Sequence, residues 1–557
     1  MMHRFLRPAV LLLMGSMVAC SPSEGPKRLE ASYSAEEKSI AQLQADLSAG
    51  TVTSVQLVEH YLLRIATLDR NGPQLNSVLA LNPDAMTIAK ALDAERASNG
   101  PRGPLHGIPL LLKDNIESAD LLPTTAGSLA LQNNVTQRDA PLVKRLRDAG
   151  AIILGKTNLS EWANMRSSAS ISGWSAIGGL TRNPYAVDRN PCGSSSGSAV
   201  ATAASLAAAS IGTETDGSIT CPAAINGLVG VKPTRGLISR RYIVPIAHSQ
   251  DTAGPMTRTV HDAALLLSVL AGTDAADPAT AQADQHKQAY HELLQDGALQ
   301  GKRLGVLRFA TGYHRGLDAV FDNTLSELQA AGAELIDIDS FPALTQISDN
   351  ELIVLLTELK QDLNAYLADS PAKLPARSLA ELIAFNEEHA EQELRYFGQE
   401  WFEQAETRRV DARYQRALAD NARLADSEGL AALFKRHQLD ALIAPTTGPA
   451  WSTDLINGDH YLGSVSTLPA VAGYPHVTVP MGMVKGLPVG LSFIGKPWSE
   501  AQLLQLAYDF EQRSQARQPP SYVETIELPE LAPPEDDDTG SVALPPRQAN
   551  PDTRQPQ

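Results

Sequence analysis

The sequence is poor in cysteine and in positive charge. Only three of its 557 residues are cysteines, which excludes a small fold stapled by disulfides. No cluster of cysteine and histidine has the spacing of a zinc site, so no metal is expected. The formal net charge of -17 argues against nucleic acid as a partner, because phosphate backbones are bound by basic surfaces.

Long hydrophobic runs are also missing, and the N-terminus has the pattern of an export signal. Two arginines precede an apolar run that ends at Val18, which is too short to span a bilayer, since that takes about 20 apolar residues. Residues 17–20 (MVAC) resemble the bacterial lipobox, in which the cysteine is lipidated. We therefore expect residues 1–19 to be a signal peptide. We expect Cys20 to anchor a lipoprotein in the outer membrane, facing the periplasm; a soluble periplasmic or secreted protein is the alternative.

The composition divides the remainder into three parts. Residues 20–33 are rich in small and polar residues and are expected to form a lipidated tether, and residues 34–517 have a globular composition. Residues 518–557 are dominated by proline and acidic residues, and we expect a disordered tail. Ser34 and Glu37 fit a capping box at the start of the first helix.

Short apolar runs alternate with helical patterns along the globular part. Residues 140–149 and most of residues 317–440 have helical periodicity. The runs with the length of buried strands are 108–112, 151–154, 228–231, 304–307, 442–444 and 477–479. This alternation predicts a single large α/β domain with a central mixed β-sheet surrounded by helices.

A lysine occupies an unusual position at the end of one predicted strand. Lys113 closes the apolar run of residues 107–116, where its amine either reaches the surface or is desolvated. To be half neutral at pH 7, the pKa of this amine must fall by about 3.4 units, which is within the range known for buried lysines. A neutral lysine that acts as a base is therefore feasible.

Two further segments are rich in serine and glycine. Residues 191–210 run from a Gly/Ser loop into a helix of small residues, which must pack closely against its neighbours. Residues 211–224 indicate a short strand that breaks at Asp216 and Gly217, followed by Ser218. Glycine permits backbone dihedrals that other residues resist. The successive N–H groups of such a turn could bind an oxyanion.

Taken together, these segments resemble the amidase signature family, and within it the branch of bacterial peptide amidases. The resemblance covers about residues 38–513. It rests on the stretches GPLHGIPLLLKDNI, KTNLSEWAN, SISGWSA, PCGSSSGSAVA and GTETDGSI. The family usually has arginine at the position of Thr220 and often glycine at that of Asp216. Both changes suit the peptide-amidase branch, and they leave open whether the family's ion pair around Glu214 forms in this chain.

The resemblance implies a role for each reactive residue. Ser218 stands at the position of the nucleophile, Lys113 at that of the base, and Ser194 at that of a bridging serine preceded by a cis peptide bond. Ser195 matches a serine that supports the network by hydrogen bonding. The oxyanion hole would consist of the backbone N–H groups of Thr215, Asp216, Gly217 and Ser218.

The resemblance also implies a reaction. Amide hydrolysis would proceed without metal or cofactor, with protons passing from the nucleophile through the bridging serine to the lysine. The expected substrate is a small peptide with a C-terminal carboxamide, from which ammonia is released. A general aliphatic or aryl amidase or an esterase is the alternative within the family. A peptide-binding lipoprotein without activity is the alternative from another class.

Other residues offer rival assignments. The Gly/Ser loop formally matches the nucleophile elbow G-x-S-x-G, which would make Ser195 the nucleophile, served by His248 or His476. The elbow needs a preceding strand, whereas residues 183–192 have the pattern of a loop. Lys156 follows a predicted strand, and we expect it to lie charged in a polar loop with a structural role.

The remaining candidates concern the surroundings of the site. Cys192 and Cys221 flank the two serines; a disulfide can form in the periplasm, but free buried thiols are favoured. Trp174, Tyr242 and the helical region 350–410 are candidates for the lining of the substrate pocket.

Overall fold

The strands of the chain build one large mixed sheet. The computed structural model describes residues 33–526, and within this range eleven strands join in one sheet while two short strands pair separately. The strands are β1 Val78–Leu81, β2 Pro109–Lys113, β3 Ile152–Thr157, β4 Trp174–Ser175, β5 Gly179–Leu180, β6 Ala209–Glu214, β7 Val229–Lys232, β8 Thr252–Thr257, β9 Arg303–Leu307, β10 Glu334–Ile338, β11 Ala441–Pro445, β12 His476–Val484 and β13 Leu487–Ile494.

The order across the large sheet is β1-β3-β2-β6-β8-β7-β12-β13-β11-β9-β10. The pairs β2/β3, β2/β6, β9/β11 and β9/β10 are parallel, and the other neighbours are antiparallel. The predicted mixed sheet is confirmed. All six apolar runs predicted as strands lie in it, and their burial on both faces explains why they are continuously apolar rather than alternating.

Helices surround this sheet. Within residues 33–526 they are α1 Ile40–Ser48, α2 Ser54–Arg64, α3 Ala85–Asn99, α4 Pro141–Asp148, α5 Ser196–Ala203, α6 Thr220–Ile225, α7 Val260–Leu270, α8 Ala283–His286, α9 Arg315–Ala330, α10 Leu344–Asp369, α11 Leu379–Glu388, α12 Ala390–Glu393, α13 Glu400–Thr407, α14 Ala412–Asn421, α15 Ala431–His437, α16 Thr467–Ala472 and α17 Glu500–Ser514. The helical prediction for 317–440 is confirmed apart from β10. None of the helices between residues 33 and 526 has the length and hydrophobicity to span a bilayer.

Helix α5 is the small-residue helix that the sequence predicts after the Gly/Ser loop. All eight of its residues are buried. A Cβ added to Gly197 would lie 2.3 Å from the carbonyl oxygen of Ser77 and 2.5 Å from that of Asn158. The backbone of α5 therefore passes so close to its neighbours that only glycine fits at this point. Helix α5 ends at Ala203, earlier than the length of the alanine-rich stretch indicates.

The start of the first helix differs from the prediction. Helix α1 is capped by Ser39, whose hydroxyl accepts from Gln42 N–H at 3.2 Å while Gln42 Oε1 accepts from Ser39 N–H at 2.9 Å. The capping box predicted at Ser34 and Glu37 is wrong. The carboxylate of Glu37 pairs instead with Arg517 at 2.8 Å, a contact between distant parts of the chain that local spacing does not reveal.

The two ends of the chain fall largely outside the described residues. By its contacts the chain divides into residues 1–34 and 35–557. The predicted signal peptide, Cys20 and nearly all of the predicted tether lie outside the description. The predicted tail begins at residue 518; residues 518–526 are described, and Val523 O accepts from Val187 N–H at 2.9 Å, while the remainder of the tail lies outside.

Candidate active site

Lys113 lies at the end of β2, in the interior of the sheet between β3 and β6. Its side chain is fully buried. The amine nitrogen lies 2.7 Å from Ser194 Oγ, 2.8 Å from Thr213 Oγ1 and 3.3 Å from Thr213 O. All three contacts are with neutral groups, so none of them compensates a positive charge on the amine.

The environment of Lys113 therefore favours the neutral amine. Burial lowers the pKa of Lys113 to about 7, against the opposing effect of the Asp251 and Glu214 carboxylates. A neutral amine has two N–H donors and one lone pair. The two oxygens of Thr213 can accept both donors, which leaves the lone pair for the Ser194 hydroxyl.

Ser195 supports this arrangement through Thr213. Its hydroxyl donates to Thr213 O at 3.1 Å and lies 3.2 Å from Thr213 N, which donates to it. These two contacts fix the strand residue that holds the lysine amine. The position agrees with the supporting role that the family resemblance implies for Ser195.

The loop before α5 brings the two predicted catalytic serines together. The peptide bond between Gly193 and Ser194 is cis, as the resemblance implied. The N–H of Ser195 donates to Ser218 O at 3.1 Å, which ties the loop to the turn after β6. The side chains of Ser194 and Ser218 line the same cavity. Within residues 33–526, Ser218 Oγ makes no hydrogen bond, and Ser218 lines that cavity.

The turn after β6 is built around the carboxylate of Glu214. Its Oε2 accepts from the N–H groups of Ile219 and Thr220 at 2.8 and 2.9 Å and from Thr220 Oγ1 at 3.2 Å. Thr220, at the position where the resemblance implies arginine, therefore gives this carboxylate neutral donors only. Burial raises the pKa of Glu214, and the positive charge of Lys232 opposes that rise. Gly217 has φ +79°, a conformation that favours glycine.

This turn leaves its own N–H groups available. Among the described residues, no acceptor is bonded to the backbone N–H of Thr215, Asp216, Gly217 or Ser218. Four successive free donors beside a serine hydroxyl are the arrangement that stabilises a developing oxyanion. The structure thus places the predicted oxyanion residues next to the predicted nucleophile.

Sequence reasoning missed the carboxyl groups that surround this turn. Asp251 Oδ1 accepts from Thr215 Oγ1 at 2.5 Å, and burial raises the pKa of Asp251 to about 6. Asp216 Oδ2 accepts from Thr467 Oγ1 at 2.8 Å. Burial raises the pKa of Glu351 well above its ordinary value, and the negative charge of Asp216 raises it further. Asp251 stands in the stretch QDTAGPMTRTV (250–260), which also resembles the family and was the available signal. Nothing in the sequence singled out Glu351.

Cys192 and Cys221 form a disulfide, with Cα atoms 6.1 Å apart. The expectation of free buried thiols is wrong. Its physical reason is the contact between the Ser194 loop and the Ser218 turn, which brings the residues flanking both serines together. The bridge covalently joins the two segments that carry the hydroxyls.

The rival assignments find no support in the geometry. Ser195 is preceded by a loop, as predicted, and neither histidine contacts it. His248 lies half exposed, with Nδ1 2.9 Å from Asp362 Oδ2, and His476 Nε2 lies 2.6 Å from Ser492 Oγ inside the sheet.

Lys156 has a different environment from the one predicted. It lies on β3 and is fully buried, so the expectation of a polar loop is wrong. Its amine donates to Ile116 O at 2.5 Å and to Thr124 Oγ1 at 2.8 Å, and it lies 3.7 Å from Asp114 Oδ1. These contacts hold the segment after β2 in place, which agrees with the structural role proposed for this lysine.

One group of side chains within the described residues has the spacing of metal ligands, namely His248, Glu358 and Asp362. Each ring nitrogen of His248 already faces a carboxylate oxygen, at 2.9 Å for Asp362 and 3.4 Å for Glu358. The hydrogen bond to Asp362 raises the pKa of His248, which burial opposes. The arrangement is that of an imidazolium between two carboxylates.

Two cavities meet at Ser218. The arginine cavity, of about 420 Å³, is lined by Ser194, Ser218, Arg240, Arg241 and Asp362, among others. The tryptophan cavity, of about 520 Å³, is lined by Ser218, Asp216, Trp401, Trp451 and Asp459, among others. The region 350–410 contributes to both cavities, as expected. Trp174 and Tyr242 line neither: Trp174 packs against Phe397, and the ring of Tyr242 lies beneath two arginines.

Comparisons with known proteins agree with this geometry. A family model described as Amidase matches residues 56–504. The chain belongs to the amidase signature family. A probable amidase of Arabidopsis thaliana is 40% identical to this amidase over 525 residues, which are 92% of this chain and 97% of the relative.

Two solved structures share the fold at higher identity. The peptide amidase PAM in complex with the inhibitor chymostatin is 53% identical, with a TM-score of 0.85 over 87% of this chain and 99% of that one. The native peptide amidase from Stenotrophomonas maltophilia is 52% identical, with a TM-score of 0.83 over 87% and 99%. This amidase is therefore an amide-hydrolysing enzyme with the amidase signature fold.

Proposed function

We propose that this amidase hydrolyses the C-terminal carboxamide of peptides through a Ser–Ser–Lys relay. The observation that carries the proposal is the contact of the buried Lys113 amine with Ser194 Oγ at 2.7 Å. Because burial lowers the pKa of this amine to about 7, it is available as a base near neutral pH. Ser194 and Ser218, whose hydroxyls would relay the proton to this amine, line the same cavity.

The reaction would proceed in balanced steps. Ser218 Oγ attacks the carbonyl carbon, its proton passes to Ser194, and the Ser194 proton passes to Lys113. The carbonyl oxygen becomes an oxyanion held by the N–H groups of residues 215–218. The C–N bond then breaks as Ser194 protonates the leaving ammonia, and Lys113 returns its proton to Ser194. Water hydrolyses the acyl-enzyme by the same transfers and releases the free carboxylic acid.

Two observations favour peptide amides as the substrates, namely the similarity of this chain to peptide amidases and the volume of the two cavities beside Ser218. This chain matches the two peptide amidase structures over 99% of their length. The cavities on either side of Ser218 have volumes of about 420 and 520 Å³, which exceed the need of a small aliphatic amide. A general aliphatic or aryl amidase, or an esterase, is the second candidate within the family.

Ammonia release from a panel of amides tests the proposal. Blocked dipeptide amides, amino-acid amides, acetamide and an anilide would be compared by kcat/KM, with Ser218→Ala as the inactive control. We expect the dipeptide amides to be the best substrates. A preference for acetamide or the anilide would contradict the peptide assignment, and hydrolysis by Ser218→Ala would contradict the nucleophile.

We also propose that the enzyme is exported and anchored through lipid at Cys20. The disulfide between Cys192 and Cys221 supports an oxidising compartment, because thiols stay reduced in most cytosols. A Cys20→Ser variant should move from the membrane fraction to the soluble periplasmic fraction. Equal membrane association of both forms would contradict the lipid anchor.

A further inference from the structure

The two cavities that meet at Ser218 differ in their relation to the proton donor. Ser194 lines the arginine cavity, whereas the tryptophan cavity is lined instead by Cys192, Gly193 and the oxyanion turn. The leaving amine must meet Ser194 Oγ, because that hydroxyl protonates it in the relay proposed above. The leaving group therefore lies on the side of the arginine cavity. The acyl chain, on the opposite side of the carbonyl carbon, is directed into the tryptophan cavity.

The two cavities also differ in charge. The arginine cavity contains Arg240, Arg241 and His248 together with Glu214 and three aspartates, so both signs are present. The described lining of the tryptophan cavity includes two carboxyl groups, Asp216 and Asp459, and no lysine, arginine or histidine.

Each carboxyl group is fixed in the cavity wall. Asp459 accepts from Ser172 N–H at 3.0 Å, from Asn190 Nδ2 at 3.1 Å and from Trp451 Nε1 at 3.2 Å. These donors are neutral, so the charge of Asp459 has no cationic partner in the contacts described. Asp216 accepts from Thr467 Oγ1 at 2.8 Å and shares a side-chain hydrogen bond with Glu351, so its partners are also uncharged donors.

An arginine in a neighbouring pocket is already paired. Arg189 lines the neighbouring pocket, where its Nε lies 3.3 Å from Asp188 Oδ1 and its Nη1 donates to Ser452 Oγ at 2.9 Å. The aromatic rings in the lining, Trp401, Trp451 and Tyr461, attract cations through their faces. The carboxyl groups and the aromatic rings of the tryptophan cavity thus both favour a positively charged ligand.

We propose that the acyl part of the substrate occupies the tryptophan cavity, and that this cavity selects peptide amides carrying a positive charge near the scissile amide over those carrying a negative charge. The positive charge is a lysine or arginine side chain or the free α-ammonium of a short peptide. The proposal rests on the proposed function, because only the role of Ser194 as proton donor assigns the acyl side.

Matched substrates test this selectivity in the wild-type enzyme. Three blocked dipeptide amides would be identical except at one position, which holds lysine in the first, glutamine in the second and glutamate in the third. We expect kcat/KM to be about tenfold or more higher for lysine than for glutamate, with glutamine between them. The ratio should shrink in about 1 M salt, where the Debye length is about 3 Å. Equal or reversed values would overturn the proposal, whereas no hydrolysis of any of the three would refute the proposed function itself.

A pair of variants on one loop locates the effect. Asp459→Asn removes the charge and keeps one of the two acceptor oxygens, so the lysine-to-glutamate ratio should fall about threefold or more. Asp454→Asn is the matched control: its side chain accepts from Ile456 N–H at 2.8 Å and from Asn457 N–H at 2.9 Å within the loop, and it does not line the tryptophan cavity. The control should keep the wild-type ratio. An unchanged ratio in Asp459→Asn, or an equal fall in both variants, would overturn the proposal. Each ratio compares two substrates in the same variant, so a general loss of activity lowers both values equally and does not change the ratio.

Discussion

Lys113 and Ser194 are 81 positions apart in the sequence, yet Lys113 Nζ lies 2.7 Å from Ser194 Oγ. The contact follows from the sheet, because β2 carries the lysine beside β6, and β6 ends in the turn that holds Ser218. The loop before α5 inserts Ser194 between these two strand ends. Three distant segments therefore meet at the carboxyl ends of two neighbouring strands inside the sheet, and the proposed chemistry depends on their packing.

Replacing Lys113 should abolish turnover without unfolding the protein. Lys113→Met removes the base and keeps much of the side-chain volume, so we expect kcat/KM to fall by about a thousandfold or more, within the range for general bases. Lys113→Arg should be inactive as well, because a guanidinium does not lose its proton at any working pH. Circular dichroism and thermal melting would verify folding. Near wild-type activity in the folded arginine variant would show that the amine is not the base.

Activity should rise with pH through about 7. The pKa of Lys113 is lowered to about 7 by burial, so the amine is protonated and inactive as a base below this pH and neutral above it. A plot of kcat/KM against pH should increase through that value and then level off. A profile that is flat between pH 6 and about 8 would contradict the assignment of Lys113 as the group that titrates.

The Asp251 carboxylate provides a test of how nearby charge shifts the pKa of Lys113. Its negative charge raises the pKa of Lys113 against the effect of burial. Removing that charge in Asp251→Asn should lower the pKa of Lys113 further, so the rise in activity should move to lower pH. A surface change such as Asp148→Asn serves as the control and should leave the profile in place. A shift to higher pH in Asp251→Asn would contradict the electrostatic argument.

Covalent labelling should distinguish the two candidate nucleophiles. Ser218 lines the cavity beside four free N–H groups, whereas the Ser195 hydroxyl is buried and bonded to Thr213. A serine-directed fluorophosphonate should therefore modify Ser218 in the wild type. Mass spectrometry should show the adduct in Ser195→Ala, at a reduced rate, and none in Ser218→Ala. The reverse pattern would restore the nucleophile-elbow assignment.

The disulfide between Cys192 and Cys221 should be detectable by counting thiols. In a Cys20→Ser protein unfolded without reductant, we expect no free thiol, and two after reduction. Loss of the bridge in Cys192→Ser should lower the free energy of unfolding by about 3–4 kcal/mol, since the cysteines are 29 positions apart. Denaturant titration measures the loss. Two free thiols in the unreduced protein would show that the bridge does not form.

The fold could be predicted from the sequence because its signals are local. The apolar runs that become β2, β3 and β11 are buried on both faces, and such strands show themselves as continuous hydrophobic stretches. The turn after β6 was predictable for the same reason, since Gly217 marks the left-handed residue directly. The family resemblance supplied the roles, which composition alone does not give.

The features that sequence reasoning missed depend on contacts between distant segments. The bond between Cys192 and Cys221 requires the loop before α5 to touch the turn after β6. Lys156 was expected in a loop because polar residues follow it, but β3 continues through Lys156 to Thr157 and buries its side chain. Glu351 belongs to α10 and lies more than a hundred positions after Asp216 in the sequence. No local sequence pattern predicts that it contacts the site.

The parallel pairing of β2 with β6 has a consequence for engineering. Backbone hydrogen bonds in the registers Leu111 with Ser210 and Leu112 with Ile211 set the spacing between Lys113 and the turn that holds Ser218. The walls that would recognise the substrate come from other places, namely α10, α13 and the segment 451–467. Grafting those walls from a relative should alter which molecules are processed while the machinery beneath them keeps its dimensions.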